Sequence, residues 1–342
     1  MRKSRQLRVV AIGGGTGLST LLRGLKSYVA PAPGTPQPAY PGPEPRPALI
    51  GELSAIVTVT DDGGSSGRLR EDLNMLPPGD IRNCLVALSP EEGLLSRLFQ
   101  YRFENGDLQG HSFGNLFLAA LTGITGDFAQ AVQTSSQILA SRGRIYPCTM
   151  ANATISARMD DGSIVHGETS ITASRRSIAE LMLSPTDAAA LPEALDAIAS
   201  ADLITIGPGS LYTSLITNLL VRDVPQAIAR SNATRIFICN LMTQANESLG
   251  LTASQHIEKI LDHAGSKIFD YALINTAQVD AKILEHYARS GQSPIEADLD
   301  RVRSLGVTPI TGSFVHQGLV LRHSYDVLAE TVLQLALETS AV

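Results

Sequence analysis

Lysine is scarce in this 342-residue chain. It supplies 5 of the 27 basic side chains, against 22 arginines, and none lies between Lys26 and Lys259. A phosphate-binding lysine in the middle of the chain, as in a Walker loop, is therefore excluded. Cysteine is scarcer still: Cys84, Cys148 and Cys239 are odd in number, far apart and without metal spacing. That pattern supports neither a disulfide framework nor a structural zinc site, and three reduced, buried thiols are expected. Nucleophile elbows of the GxSxG type and paired zinc histidines are also absent. No apolar run approaches the roughly 18 residues that a membrane span needs, and the basic N-terminus offers only Val9–Ile12 before glycine, too short for a signal-peptide core. No membrane span and a cytoplasmic location are expected. A net charge of −6 weighs against non-specific binding to nucleic acid, so no nucleic-acid partner is expected.

What is present is a chain 44% hydrophobic and 18% charged, enough for a sizeable core. Leu7–Ile12 is a short β-branched run ended by glycines, which predicts a buried parallel strand. Gly17–Ser27 then carries Leu18, Leu21, Leu22 and Leu25 at the spacing of one helix face. Residues 30–47 hold eight of the 18 prolines and predict an extended, exposed insertion. Leu53–Thr60 is the second strand, and Asp80 reads as the N-cap of a helix through Leu88. Helical periodicity recurs at 91–102, 113–122 and 128–141. At 151–172, strand-like runs flank Asp160-Asp161-Gly162, a hairpin signal. From 187 onward helix and strand alternate: helices at 187–199, 210–220, 253–264, 280–290 and 326–339, strands at 202–206, 234–239, 270–275 and 307–312. Such alternation implies βαβ units. The whole of 1–342 is expected to be one large Rossmann-like α/β domain, a three-layer αβα fold on a mostly parallel sheet, with the hairpin as an excursion.

Three glycine-rich segments follow strands. Gly13, Gly14, Gly15, Thr16 and Gly17 join the first strand to the first helix, where backbone amides and the helix dipole meet an anion. The dinucleotide pattern GxGxxG fails because its third glycine falls on Leu18, so no nicotinamide cofactor is expected. Asp61-Asp62-Gly63-Gly64 follows the second strand. Asp61 lies near the place where a dinucleotide fold keeps its ribose-binding acid, but an acidic pair beside a phosphate loop equally fits a magnesium ion shared with phosphate oxygens. Asp61 is taken as the metal ligand and Asp62 as its neighbour or a sugar contact. Gly207, Gly209, Ser210 and Leu211 repeat the strand–glycine–helix arrangement and can present amides and a hydroxyl to an anion. Asn240-Leu241-Met242-Thr243-Gln244 places polar side chains after a further strand. His111 and Asn115 flank Ser112, and from the residues alone a plain helix cap at Ser112 is the simpler account.

The segments GGGTG (13–17), TDDGGSSGRLR (60–70), PPGDIRN (77–83), HSFGN (111–115), GPGSLYTSL (207–215) and NLMTQ (240–244) occur in this order and closely resemble the bacterial gluconeogenesis factor family. That family is related to the 2-phospho-L-lactate transferases of deazaflavin cofactor synthesis. The resemblance implies a Rossmann-like fold and a nucleotide-sugar ligand, UDP-N-acetylglucosamine being the best-supported type. It further implies a role in cell shape and in growth on gluconeogenic carbon sources, with no established reaction. It adds Asn83, His111, Asn115 and Asn240 to the expected ligand contacts. Three departures stand out: the proline insertion between the first two loops and, against the transferases, PPGDIRN where they carry a Pro-Asp-x-Asp motif and the HSFGN segment, which they lack. The competing expectation is a metal-dependent transferase of the phospholactate type acting on a nucleotide-diphosphate donor.

Overall fold

The computed structural model describes residues 6–30, 46–90, 94–174, 176–318 and 320–340. Most of the proline insertion expected at 30–47 lies outside them. The strands, in chain order, are β1 (Leu7–Gly13), β2 (Ile50–Val57), β3 (Arg144–Pro147), β4 (Thr154–Met159), β5 (Ile164–His166), β6 (Ile178–Ser184), β7 (Leu203–Ile206), β8 (Thr234–Ile238), β9 (Tyr271–Asn275), β10 (Thr308–Gly312), β11 (Val315–Gln317) and β12 (Leu321–His323).

Seven of them form one parallel sheet in the order β10-β9-β8-β7-β1-β2-β3. Alternate residues of β1 enter opposite cores: Val10 and Ile12 join one buried cluster, Val9 and Ala11 the other. Helices covering both faces account for that alternation, since side chains along a strand point to opposite sides. The chain is an α/β protein of Rossmann-like architecture. On one face the helix Gly15–Leu25 buries Leu18, Leu21, Leu22 and Leu25 beside Leu328, Val332 and Leu333 of the C-terminal helix Tyr325–Ser340.

Strand order reverses between β1 and β7. From β1 the chain runs outward through β2 and β3, then returns to lay β7 on the other side of β1. The loops after β1 and β7 therefore diverge to opposite sides and leave a crevice at the carboxyl ends of the strands, where open α/β sheets bind ligands.

Two elements carry no sequence expectation of their own, and two others differ from it. The helix Gly64–Leu73 (GSSGRLREDL) contains two glycines and two serines, weak helix formers, and only burial of Ser65, Ser66, Leu69 and Arg70 makes it a helix. The strand β6 (IAELMLS) has helix-favouring Ala, Glu, Leu and Met, but pairing with β4 overrides that preference. Asp80 is not the N-cap of the helix Gly79–Leu88. Pro78 holds that position without a side-chain bond, and Asp80 sits in the first turn. The strands β4 and β5 pair antiparallel around Asp160-Asp161-Gly162, and β6 completes a separate three-stranded sheet, but the hairpin expected over 151–172 ends at His166 because Glu168–Ala173 is a short helix.

Candidate functional site

The crevice between β1 and β7 opens into a cleft of about 480 Å³. Its lining draws on the loops after β1, β7 and β8, the first turn of Gly79–Leu88, the start of the short helix Glu168–Ala173, and the β12 strand. Gly14, Gly15, Thr16, Gly17, Gly209, Ser210 and Asn240 all line it, as does the remainder of the 240–244 segment. Two glycines are required by the backbone. Gly15 has φ +61, which L side chains rarely adopt. A Cβ on Gly17 would collide with the Pro208 carbonyl, so only glycine lets the first helix approach the β7 loop. The first-turn amides of Gly15–Leu25 have no partners inside the helix, and Gly15 N–H donates to the Asp80 carboxylate.

The β7 loop differs in detail from a simple anion cradle. Its helix begins at Leu211, and Glu247 already accepts from Tyr212 N (3.3 Å) and from Thr213 Oγ1 (3.0 Å). A carboxylate of the protein thus occupies part of that terminus. A closed ring of bonds ties this loop to the one after β8: Gly209 N donates to Asn240 Oδ1, Asn240 Nδ2 to Gln244 Oε1, and Gln244 Nε2 to Ser210 Oγ. Gly13, Gly207 and Leu211 lie behind the cleft surface. The Gly13 carbonyl accepts from Thr58 N and Asn218 Nδ2, Gly207 N donates to Ile12 O, and Leu211 is fully buried.

The acidic loop after β2 reaches the cleft indirectly. Asp61 Oδ1 accepts from Gly63 N at 2.9 Å, and its other oxygen faces Gly79, next to Asp80. Asp62 Oδ1 accepts from both Thr169 N (2.8 Å) and Thr169 Oγ1 (2.6 Å), so it caps the helix Glu168–Ala173 and fastens it over the cleft. Asn246 Nδ2 fastens the far end by donating to Thr172 O. Buried Arg70 donates to Ala153 O; burial lowers its proton affinity, and the charges of Asp62 and Asp61 offset part of that loss. Some of the acidic charge is thereby balanced internally.

His111, Asn115 and Asn83 form a neighbouring polar cluster that does not line the cleft. His111 Nδ1 and Asn115 Nδ2 both meet Ser65 Oγ at 3.0 Å, and Ser112 caps the helix Phe113–Thr125 through Asn115 N. Arg82 bridges Ser112 Oγ and Asn83 Oδ1.

Five polar or aromatic lining residues carried no local sequence signal, namely Glu168, Tyr287, Gln292, Arg322 and His323, and Asp80 carried the signal of a helix cap rather than of a cleft residue. They come from separate segments that only the fold unites. Burial, and next the charge of Asp61, push the Asp80 carboxyl up to about 6. Burial, then Asp61, Asp80, Glu247 and Asp62, push Glu168 up to about 9. At neutral pH Glu168 is protonated and offers a donor rather than a charge. Burial pushes His323 down to about 4, so it is neutral, and its Nε2–H donates to Cys239 O. Arg322 is the cationic side chain among the described lining residues. Antiparallel pairing of β11 with β12, and the bond from Leu321 N to Tyr287 Oη, hold it in place.

Gly15→Val is expected to abolish binding of a phosphate ligand at a modest cost to the fold. The nearest atom to an added Cβ is Asp80 Oδ1 at 3.8 Å, so the side chain would stand in the open cleft. The left-handed backbone adds strain of about 1–2 kcal/mol. Native circular dichroism with no heat on titration is the expected pair of results; normal binding would mean this loop is only a turn.

Comparison with known proteins agrees with this architecture. The family model of 2-phospho-L-lactate transferase CofD matches residues 9–315. The gluconeogenesis factor of Halalkalibacterium halodurans is 45% identical over 332 residues, covering 96% of this chain and 97% of that protein. That of Bacillus subtilis is 41% identical, covering 97% of this chain and 98% of its own. A crystal structure from Bacillus halodurans, of a protein described as a member of the UPF0052 family, superposes with a TM-score of 0.88 at 44% identity, over 96% of this chain and 99% of that one. With this agreement over nearly the whole length of each protein, the chain belongs to the gluconeogenesis factor family, within the wider family of the CofD transferases.

Proposed function

We propose that the cleft binds a nucleotide sugar of the UDP-N-acetylglucosamine type, and that the chain acts as a ligand-sensing factor in cell morphogenesis and gluconeogenic growth. The observation that carries this reading is the placement of Arg322 in the same cleft as the Gly15–Leu25 helix N-terminus. A diphosphate between them meets backbone amides on one side and a guanidinium on the other. Asn240, Gln244 and Gln292 offer amide donors and acceptors to a base or sugar, and Tyr287 offers an aromatic ring beside them. The protonated Glu168 can donate a hydrogen bond to the ligand without repelling it.

Magnesium fits the donor set in one way. Among the described residues no three His, Cys, Asp or Glu side chains come together to enclose an ion, so an all-protein cage is not available. Magnesium asks for one or two carboxylates and takes its other ligands from phosphate and water. Asp80, with Asp61 beside it, would supply those carboxylates, and the ion would neutralise diphosphate charge. The second reading, a transferase acting on a nucleotide-diphosphate donor, draws support from the CofD family model and from the carboxyl groups of Asp80 and Glu168 in one cleft.

Calorimetric titration with UDP-N-acetylglucosamine, UDP and uridine tests the first reading. UDP and the UDP-sugar should compete, uridine should bind on the order of a hundredfold more weakly, and EDTA should weaken binding until magnesium restores it. Equal affinity for uridine would remove the phosphate argument. Consumption of the nucleotide sugar would transfer the case to the enzyme reading. No defect of a deletion strain on gluconeogenic carbon would refute the proposed physiological role.

A further inference from the structure

The strand β3 closes one edge of the seven-stranded sheet, and among the described residues no strand pairs with its outer side. Main-chain groups of successive strand residues point to opposite sides, so each residue of β3 can be assigned a direction. Cys148 N donates to Val57 O of β2, which turns Arg144 and Tyr146 toward β2 and Ile145 and Pro147 away from it. Proline agrees with that assignment, because an outward position spares its missing N–H. The outer edge therefore offers the Ile145 N–H, the Ile145 carbonyl and the Pro147 carbonyl. Ile145 is 6% exposed, so these groups lie at the bottom of a recess rather than on open surface. The recess is a groove of about 660 Å³ between helices of the two opposite layers. Ile145 shares a core with Phe128 and Val132 of the helix Phe128–Ile138. Tyr146 packs on the other core, with Ala194 and Ile198 of the helix Pro192–Ser200.

We infer that this groove binds an extended peptide, which adds to β3 as an antiparallel strand and points basic side chains at the helix Pro192–Ser200. The chain itself already pairs with this edge a few residues further on. Ala190 forms an antiparallel bridge with Thr149, and Leu191 N donates to Cys148 O, before Pro192 turns the chain away into its helix. Leu191 lines the groove, so a peptide laid there continues that pairing in the same direction. An N–H and a carbonyl on one residue are met together by an extended main chain, since a hydrogen-bonded antiparallel pair exchanges both bonds. Charge sets the side chains. Glu193 and Asp196 stand on one stripe of Pro192–Ser200, both exposed and neither in an ion pair among the described residues. Glu193 lines the groove, and Asp196 lines the hollow that continues it beneath β1 and β2. The guanidinium of Arg8 in that hollow is held by Asp202, and Arg144 stands 3.9 Å from Glu52. Two carboxylates are thus left for a cationic partner. The facing wall is polar and mostly uncharged. Gln130, Gln133 and Gln137 line it from one stripe of their helix, and the Asp127 carboxylate is engaged as the helix cap by Gln130 N. Such amides suit the main chain and hydroxyl groups of a peptide. A second copy of this chain is a poor occupant, because its own β3 lies equally deep between two helices and two recessed edges cannot meet.

The test mixes the full chain with two pools of end-blocked heptapeptides. One pool has lysine at every second position and random residues between; the other has glutamate in place of lysine. Peptides retained with the protein on ultrafiltration are identified by mass spectrometry, and the best retained is titrated by fluorescence anisotropy. Retention from the lysine pool and not from the glutamate pool is the expected result. Combining Glu193→Gln with Asp196→Asn should weaken binding on the order of tenfold, and the melting curve should match the wild type because both side chains are exposed. N-methylation of the peptide separates strand pairing from charge attraction. Methyl groups on one alternate set of its amides should cost about a hundredfold in affinity, and on the other set almost nothing. Hydrogen exchange gives a readout that needs no variant: the Ile145 amide should exchange more slowly once the peptide is added. Retention of neither pool, or of both alike, would overturn the inference. So would equal losses from the two methylated sets, or an Ile145 amide whose exchange ignores the peptide.

Discussion

Replacing Arg322 with glutamate is expected to weaken binding of UDP and UDP-sugars by about a thousandfold, and replacing it with alanine by about a hundredfold. The reason lies in the charges of the cleft. Asp80 and Glu168 line it, Asp61, Asp62 and Glu247 stand close behind, and His323 is neutral. Against these, Arg322 is the cation that the described lining provides. Its guanidinium can bind two phosphate oxygens through a planar fork, so Arg322→Lys should restore only part of the affinity. Because Arg322 is exposed, the melting temperature without ligand should stay where it is. Titration calorimetry of the three variants beside a melting curve separates loss of binding from loss of fold. Unchanged affinity in Arg322→Glu would place the phosphates elsewhere.

A second large effect concerns stability. Glu168→Gln is expected to stabilise the protein at pH 7. The folded chain holds the Glu168 carboxyl near 9, against an ordinary value of 4.5. A carboxyl raised in this way contributes stability that is fully present below about 4.5 and is lost as pH rises toward 9. At pH 7 the folded state must keep a proton that the unfolded chain releases, at a cost of roughly 1–3 kcal/mol after allowance for partial solvent access. Glutamine has the shape of the protonated acid without that cost, so the variant should melt a few degrees higher at pH 7. The difference should shrink toward zero near pH 4.5 and grow up to about pH 9. Melting curves at three pH values decide it, and a difference that does not change with pH would mean Glu168 titrates as an ordinary surface acid. Ligand binding should persist in Glu168→Gln at pH 7. Wild-type binding should fall above pH 9, as a negative charge enters the cleft.

Much of this site could be read along the chain because glycine loops at strand ends are local features. Gly13–Gly17, Gly207–Ser210 and Asn240–Gln244 all follow strands of the parallel sheet, and the latter two are linked by hydrogen bonds. What could not be read is the division of labour among the acids. Asp62, adjacent to Asp61, turns out to cap a helix 107 residues away. Asp80, which has the sequence appearance of a helix cap, faces the cleft and receives the Gly15 amide. Residue type and spacing are the same for a capping carboxylate and a ligand-facing one; what each oxygen meets depends on neighbours brought in from elsewhere.

The sequence by itself determined the α/β class, the order of most strands and helices along the chain, and the glycine-rich turns. All of these follow from periodicity and backbone conformational preference within ten or twenty residues. Tertiary structure decided the rest. It set the reversal of strand order at β1 and β7 that opens the crevice, and the conversion of GSSGRLREDL to helix and IAELMLS to strand. It also brought Glu168, Tyr287 and Arg322 to one cleft from three distant segments. Burial and pairing energies between distant segments exceed the differences in local propensity, which amount to less than about 1 kcal/mol per residue. The same long-range assembly created the proton affinity of Glu168, since desolvation and the four surrounding carboxylates exist only in the folded chain.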